Sequence, residues 1–167
     1  MGTEAGLGPL RESIAQGELM SSQHVMMVQK FLACLQSTKP NRMELDMLAA
    51  DVRYDWFAAQ DMPVKRSLVG RAEVEGYVSL LPRTYQVLEA DEQSFSSTPE
   101  KVVVMGGERA RIVRTGRLVH AEWIAVFKIE SDRIQHVAMT IHHWRTCQNE
   151  SPLWYSMSGS ELLAEIS

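Results

Sequence analysis

The chain has two cysteines in 167 residues, Cys34 and Cys147, far apart and without CxxC spacing. They make no disulfide framework, and a chain of this length can bury a sizeable core without staples or metal. Long apolar runs are also missing. Nothing approaches the ~20 residues of a spanning helix, and the opening MGTEAGLGPLRESIAQGELM lacks the apolar stretch of a secretory signal. Its sixth residue is not the Ser or Thr that myristoylation wants. Nor does either charge dominate: 17 Lys and Arg stand against 21 Asp and Glu, a net charge of −4. That balance gives no pull toward phosphate backbones or anionic lipid, so neither nucleic acid nor membrane is expected as a partner. Reduced thiols and no targeting signal lead to the expectation of a cytoplasmic protein.

What is present is the composition of one globular domain, 45% hydrophobic and 23% charged. Val25, Val28, Leu32 and Leu35 recur at helical spacing between a Ser21 or Ser22 cap and a stop at Thr38-Lys39-Pro40. Asn41 opens a shorter helical stretch, and β-branched and aromatic character over 51–56 predicts a strand. A loop over 57–67 precedes a Gly70-initiated helix carrying Val74, Tyr77, Val78 and Leu81, which Pro82 should end. From Tyr85 the period becomes two, predicting strands over about 85–96, 101–114, 117–129 and 133–144. Gly106-Gly107 suits a bulge that would curl the sheet. The fold class is therefore α+β, with the helices closing one face of a curved antiparallel meander. Residues 1–20 read as an extension and 21–146 as the domain. The tail 147–167, with a Ser158–Glu161 capping box before Leu162-Leu163, reads as a short helix that docks on the body or on a second subunit.

The segments LAADVRYDW, VGRAEVEGYVSLL and VFKIESDRIQHVAMTIHHW, in that order, resemble the nuclear transport factor 2-like superfamily, and within it the SnoaL-like polyketide cyclase and isomerase branch. The resemblance covers about 21–146. It implies a cone-shaped sheet whose pocket lies between the concave face and the helices, and it leaves the reaction open. Steroid isomerase-like members carry a Tyr on the first helix, a general-base Asp after the first strand and a protonated Asp on the penultimate strand. Here those positions fall on Phe31, Trp56 and Ala125. The water-activating acid of limonene epoxide hydrolase-like members falls on Met139.

Strand parity places Val119, Ala121, Trp123, Ala125 and Phe127 on the concave face with Val137, Met139, Ile141 and His143. Such a floor suits a flat, apolar, ring-containing ligand. His143 is the titratable side chain this reading puts near the mouth, as general acid or base. Tyr54 shares the interior with Trp56 and could donate to a carbonyl or enolate oxygen. Asp55 faces away, and Asp61, on the loop before Gly70, is the preferred carboxylate partner. His120 and His142 would sit opposite each other on the convex face if the last hairpin closed at Ile129–Arg133. A polar strip at a dimer interface, or on the solvated face, explains them better than zinc, so no metal is expected. Arg111 lies nearest the place of a substrate-orienting Arg. The expectation is a cofactor-independent isomerase or cyclase, or a dehydratase, acting on a polycyclic polyketide-like or terpenoid intermediate of secondary metabolism. The protein would be a homodimer, with His143, Tyr54 and Asp61 catalytic, and Phe31, Trp56, Arg111, Trp123, Ala125, Phe127, Val137, Met139 and Ile141 around the substrate. The alternative is a non-catalytic binding or assembly module on the same fold.

Overall fold

A computed structural model describes residues 8–37, 42–58, 66–147 and 155–156. Its first element, helix α1 (Gly8–Gln36), begins well before the expected cap at Ser21 or Ser22 and is 29 residues long. The inward stripe follows the predicted spacing: His24, Val28, Phe31 and Leu32 are buried, with Leu35 half-buried beside them. A 3-10 turn (Arg42–Met47) leads into β1 (Leu48–Ala58). The chain then returns as the short edge strand β2 (Arg66–Val69), antiparallel to β1.

Gly70 caps helix α2 (Arg71–Thr84) with φ of 90°, a conformation that only glycine adopts without strain. Its N–H donates to the Val52 carbonyl at 2.7 Å, which ties the helix start to β1. Val74, Val78 and Leu81 are buried against the sheet. Pro82 does not end this helix as expected. It lies in the last turn, where a missing N–H leaves only one carbonyl unserved, and the Tyr85 N–H closes the helix on the Leu81 carbonyl.

The predicted strand over 85–96 is two strands, β3 (Tyr85–Ala90) and β4 (Ser94–Ser97), both paired with β5 (Lys101–Ile112). β6 (Leu118–Glu130) and β7 (Arg133–Cys147) complete the meander through a tight turn at Ser131 and Asp132, both at positive φ. The sheet order is β2-β1-β7-β6-β5-β3, with edges at β2 and β3. One pairing departs from the expected all-antiparallel sheet: β1 runs parallel to β7, so the sheet is mixed. A last strand, β8 (Tyr155–Ser156), adds to β7 antiparallel. The expected tail helix, from the Ser158 cap onward, lies outside the described residues.

Curvature comes from places other than the glycine pair. β5 and β6 stay in unbroken register from Lys101↔Lys128 to Arg111↔Leu118, straight through Gly106 and Gly107. The register slips instead on β7, where Glu122 faces His143 but Trp123 faces Ile141, and where Lys128 faces His136 but Ile129 faces Ile134. Each slip leaves one β7 residue unopposed, His142 and Gln135, which increases local twist and bends the strand around the core. That core is continuous, running from Val28, Phe31 and Leu32 of α1 through Val74 and Val78 of α2 to the inward residues of β5, β6 and β7. Phe31 and Phe127 meet edge to face at 5.9 Å between centroids at its centre.

Candidate active site

Period-two alternation on β6 buries Val119, Ala121, Trp123, Ala125, Phe127 and Ile129 and turns the residues between them outward. On β7 Val137, Met139 and Ile141 are buried with them, as the sequence predicts. Above this floor a cleft of about 590 Å³, its open mouth included, lies between sheet and helices. Leu32, Leu35 and Gln36 reach it from α1, Tyr77 and Leu81 from α2. Tyr54 and Trp56 face it from β1, Tyr85 and Val87 from β3. Glu108 enters from β5, Ala121 and Trp123 from β6, Met139 and Ile141 from β7.

Five of the expected residues therefore line the cleft: Tyr54, Trp56, Trp123, Met139 and Ile141. Phe31, Ala125, Phe127 and Val137 are fully buried in the core and are not among the lining side chains. Asp61 lies outside the described residues.

The expected placement of His143 is corrected by the β7 bulge. The unopposed His142 shifts strand parity by one, so past Ile141 it is an even position, Thr146, that is buried among the described side chains. His143 is exposed, stands opposite Glu122, and its ring accepts a hydrogen bond from the Arg145 guanidinium. Arg111 is corrected likewise: it is exposed on the odd, outward set of β5. The expected His120–His142 pairing is replaced by His120↔Arg145, because the hairpin closes at Glu130↔Arg133 and carries two bulges. His120 instead bonds Asp91 at 3.0 Å, and His142 lies 3.8 Å from Glu122. Among the described residues no three His, Cys, Asp or Glu side chains gather as a metal-holding group.

Asp55 faces away from the cleft, as expected, yet it is buried at 3% exposure. It accepts from His136 at 2.8 Å and from Arg53 at 3.1 Å. Burial alone would raise its carboxyl, but hydrogen bonds from Ser67, His136 and Arg53 outweigh that and bring it down to about 2. This network joins β1, β2 and β7 on the outer face.

The residue that sequence reasoning missed is Glu108. Val102, Val104, Ala110 and Ile112 share its parity on β5 and all are buried, so the glutamate stands on a face otherwise committed to the interior. That parity is legible in the sequence. Burial pushes the Glu108 carboxyl up; hydrogen bonds from Tyr85, Gln36 and Trp123 pull it back, while the nearby Asp91 charge adds to the rise. The net displacement is upward. These partners come from β3, α1 and β6. Burial likewise drives the Tyr54 and Tyr85 phenols well above 10, so both remain protonated donors. The Tyr54 hydroxyl donates at 3.6 Å to the Met139 sulfur, a weak acceptor.

Chemically, the described lining of the cleft is apolar and aromatic, with one carboxyl group held above its ordinary range and neutral hydrogen-bond donors around it.

No curated protein matches the sequence. Among solved structures the chain is similar to a candidate isomerase from Bacillus subtilis, with 14% identity and a TM-score of 0.61, covering 72% of this chain and 87% of that one. It is similar to a nuclear transport factor 2-like protein from Burkholderia xenovorans, at 17% identity and a TM-score of 0.58 over 72% and 90%. A limonene epoxide hydrolase-like epoxide hydrolase from M. tuberculosis gives 14% and 0.55 over 72% and 84%. At such identities the likeness establishes the α+β cone fold and not the reaction. The signature of the SnoaL-like domain matches residues 28–137, more than half of the chain and all but one of the strands around the cleft, so this protein belongs to the SnoaL-like domain family.

Proposed function

We propose that the protein is a cofactor-independent acid–base enzyme that isomerises or cyclises an apolar, ring-containing substrate, of the polyketide or terpenoid kind, in secondary metabolism. The observation that carries this reading is Glu108, a carboxyl group raised by burial inside an apolar cleft and served by Tyr85, Gln36 and Trp123. Glu108 takes a proton from a carbon beside a carbonyl and returns it at another position. A carboxylate whose proton affinity is raised by its surroundings is a stronger base than a free one. Tyr54 stabilises the enolate by exchanging its weak Met139 sulfur acceptor for an oxyanion, a gain that exists only once charge develops. In this role Glu108 replaces His143, which is exposed away from the cleft.

The homodimer belongs to the same proposal. The outer sheet face carries the half-buried Ile124 and Val126 beside the exposed Met105 and Phe57, an apolar strip suited to a second copy. Analytical ultracentrifugation checks it: a monomer at micromolar concentration would remove the dimer from the reading.

The functional test compares metabolites of the source cells carrying wild-type protein, Glu108→Gln or no gene. Accumulation of one compound at the expense of an isomer in both mutant strains is expected. A strain with Glu108→Gln indistinguishable from wild type refutes the role of Glu108. No metabolite change even without the gene moves the protein to a non-catalytic binding module.

A further inference from the structure

Within the cleft, charge is one-sided. Its described lining contains one carboxylate, Glu108, and no Lys, Arg or His. Arg109 and Arg111, its neighbours on β5, lie on the exposed set that faces away. The groups that bond to Glu108 are a phenol, a primary amide and an indole, all neutral. A carboxylate set into an apolar wall with only neutral donors remains electrostatically uncompensated.

The rest of the lining has a matching character. Tyr54, Trp56, Tyr77, Tyr85 and Trp123 present five aromatic rings to the same space. Tyr77 stands between two of them, 5.6 Å from Tyr54 and 6.4 Å from Trp56 between centroids. Aromatic faces attract cations through the ring quadrupole and repel anions. One negative charge and a surround of electron-rich rings are the complement of an organic cation.

We infer that the ligand of this cleft is a ring compound bearing a protonated amine, its ammonium seated on Glu108 and its ring between the aromatic side chains. This rests on the cleft being the functional site and names the class of molecule it takes. An ammonium on or beside the carbon that loses its proton would acidify that C–H and bring both within reach of one carboxylate. Anionic ring acids are rejected by the same field, and neutral rings bind through apolar contact alone.

Isothermal titration at pH 7 with 2-aminotetralin, the neutral 2-tetralol and tetralin-2-carboxylate tests the inference. The amine should bind about tenfold or more tightly than the alcohol, with the acid weakest. In Glu108→Gln the amine should fall to within about threefold of the alcohol, while alcohol binding persists. Independently of any variant, the pH titration of the Glu108 carboxyl carbon in the wild-type NMR spectrum should move to lower pH on adding the amine and not the alcohol. Equal affinity for amine and alcohol, a preference that survives Glu108→Gln, or no amine binding up to millimolar concentration each overturns it. Amine binding without any metabolite phenotype would leave the ligand class standing and refute the catalytic reading. A metabolite phenotype without amine preference would do the reverse.

Discussion

The Trp123 indole lies across Gly106, its cross-strand partner, so closely that a Cβ at that glycine would sit 2.8 and 2.9 Å from two ring carbons. Glycine here provides space rather than a bulge. It lets a large ring lie against the β5 backbone with its N–H directed to Glu108, two residues along the same strand. Gly107 does the same on the other face, where the Asp91 carboxylate occupies the place of a Cβ.

Gly106→Ala therefore displaces Trp123. Overpacking of this kind costs roughly 1–3 kcal/mol, read as a lower urea midpoint at unchanged slope. Trp123→Phe in the Gly106→Ala background should recover part of that loss. Two costs that simply add would show that the residues do not compete for space.

Asp55 sets an acid limit on stability. Its carboxyl stands at about 2 in the folded state against 3.8 in the free one, so the folded form favours the anion. The stabilisation, about 2 kcal/mol, is fully present above pH 4 and is lost as the pH falls toward 2. Asp55→Asn should flatten that part of the stability profile, as measured by denaturant unfolding from pH 2 to pH 5.

Glu108 has the opposite sign. With its carboxyl raised in the folded state, the native protein holds the proton longer than the unfolded chain, and stability falls as the pH rises above 4.5. Glu108→Gln should therefore be more stable than wild type at pH 7, by a margin that narrows toward pH 4.5. Equal stability across that range would contradict a half-buried charge that no cation compensates.

Tyr54 and Tyr85 report on the integrity of the cleft. Both phenols are held well above 10 by burial, so above pH 10 the unfolded chain sheds protons that the folded one keeps, and stability declines. In an alkaline titration followed at 295 nm, at least two of the four tyrosines should ionise only as far-UV dichroism is lost. Smooth ionisation of all four with structure intact would mean an open, hydrated cleft.

The centre of the core gives the largest expected loss. Phe127→Ala removes a fully buried ring that meets Phe31 edge to face, and should cost about 3–5 kcal/mol. Thermal unfolding monitored by calorimetry checks it.

The elements and most of their inward faces are legible in the order of residues alone. Helical spacing over Val25–Leu35, Gly70 before α2, and strict alternation from Val119 to Phe127 are local patterns, because a side chain's direction follows from the backbone period alone. The same pattern puts Tyr54, Trp56, Trp123, Met139 and Ile141 on the inward face, and they line the cleft. Tertiary structure decided whatever depends on how strands meet. Parity carries along a strand only until a residue goes unopposed, and the bulge at His142 turned His143 outward where simple counting turned it in. Pairing of β1 beside β7, which buries Asp55 under Arg53 and His136, joins segments about eighty residues apart. Glu108 becomes a candidate acid–base group only because α1, β3 and β6 bring Gln36, Tyr85 and Trp123 to it and draw it partly out of water. A glutamate's type is written in the chain, but the free energy of its charge is set by the surroundings that folding assembles.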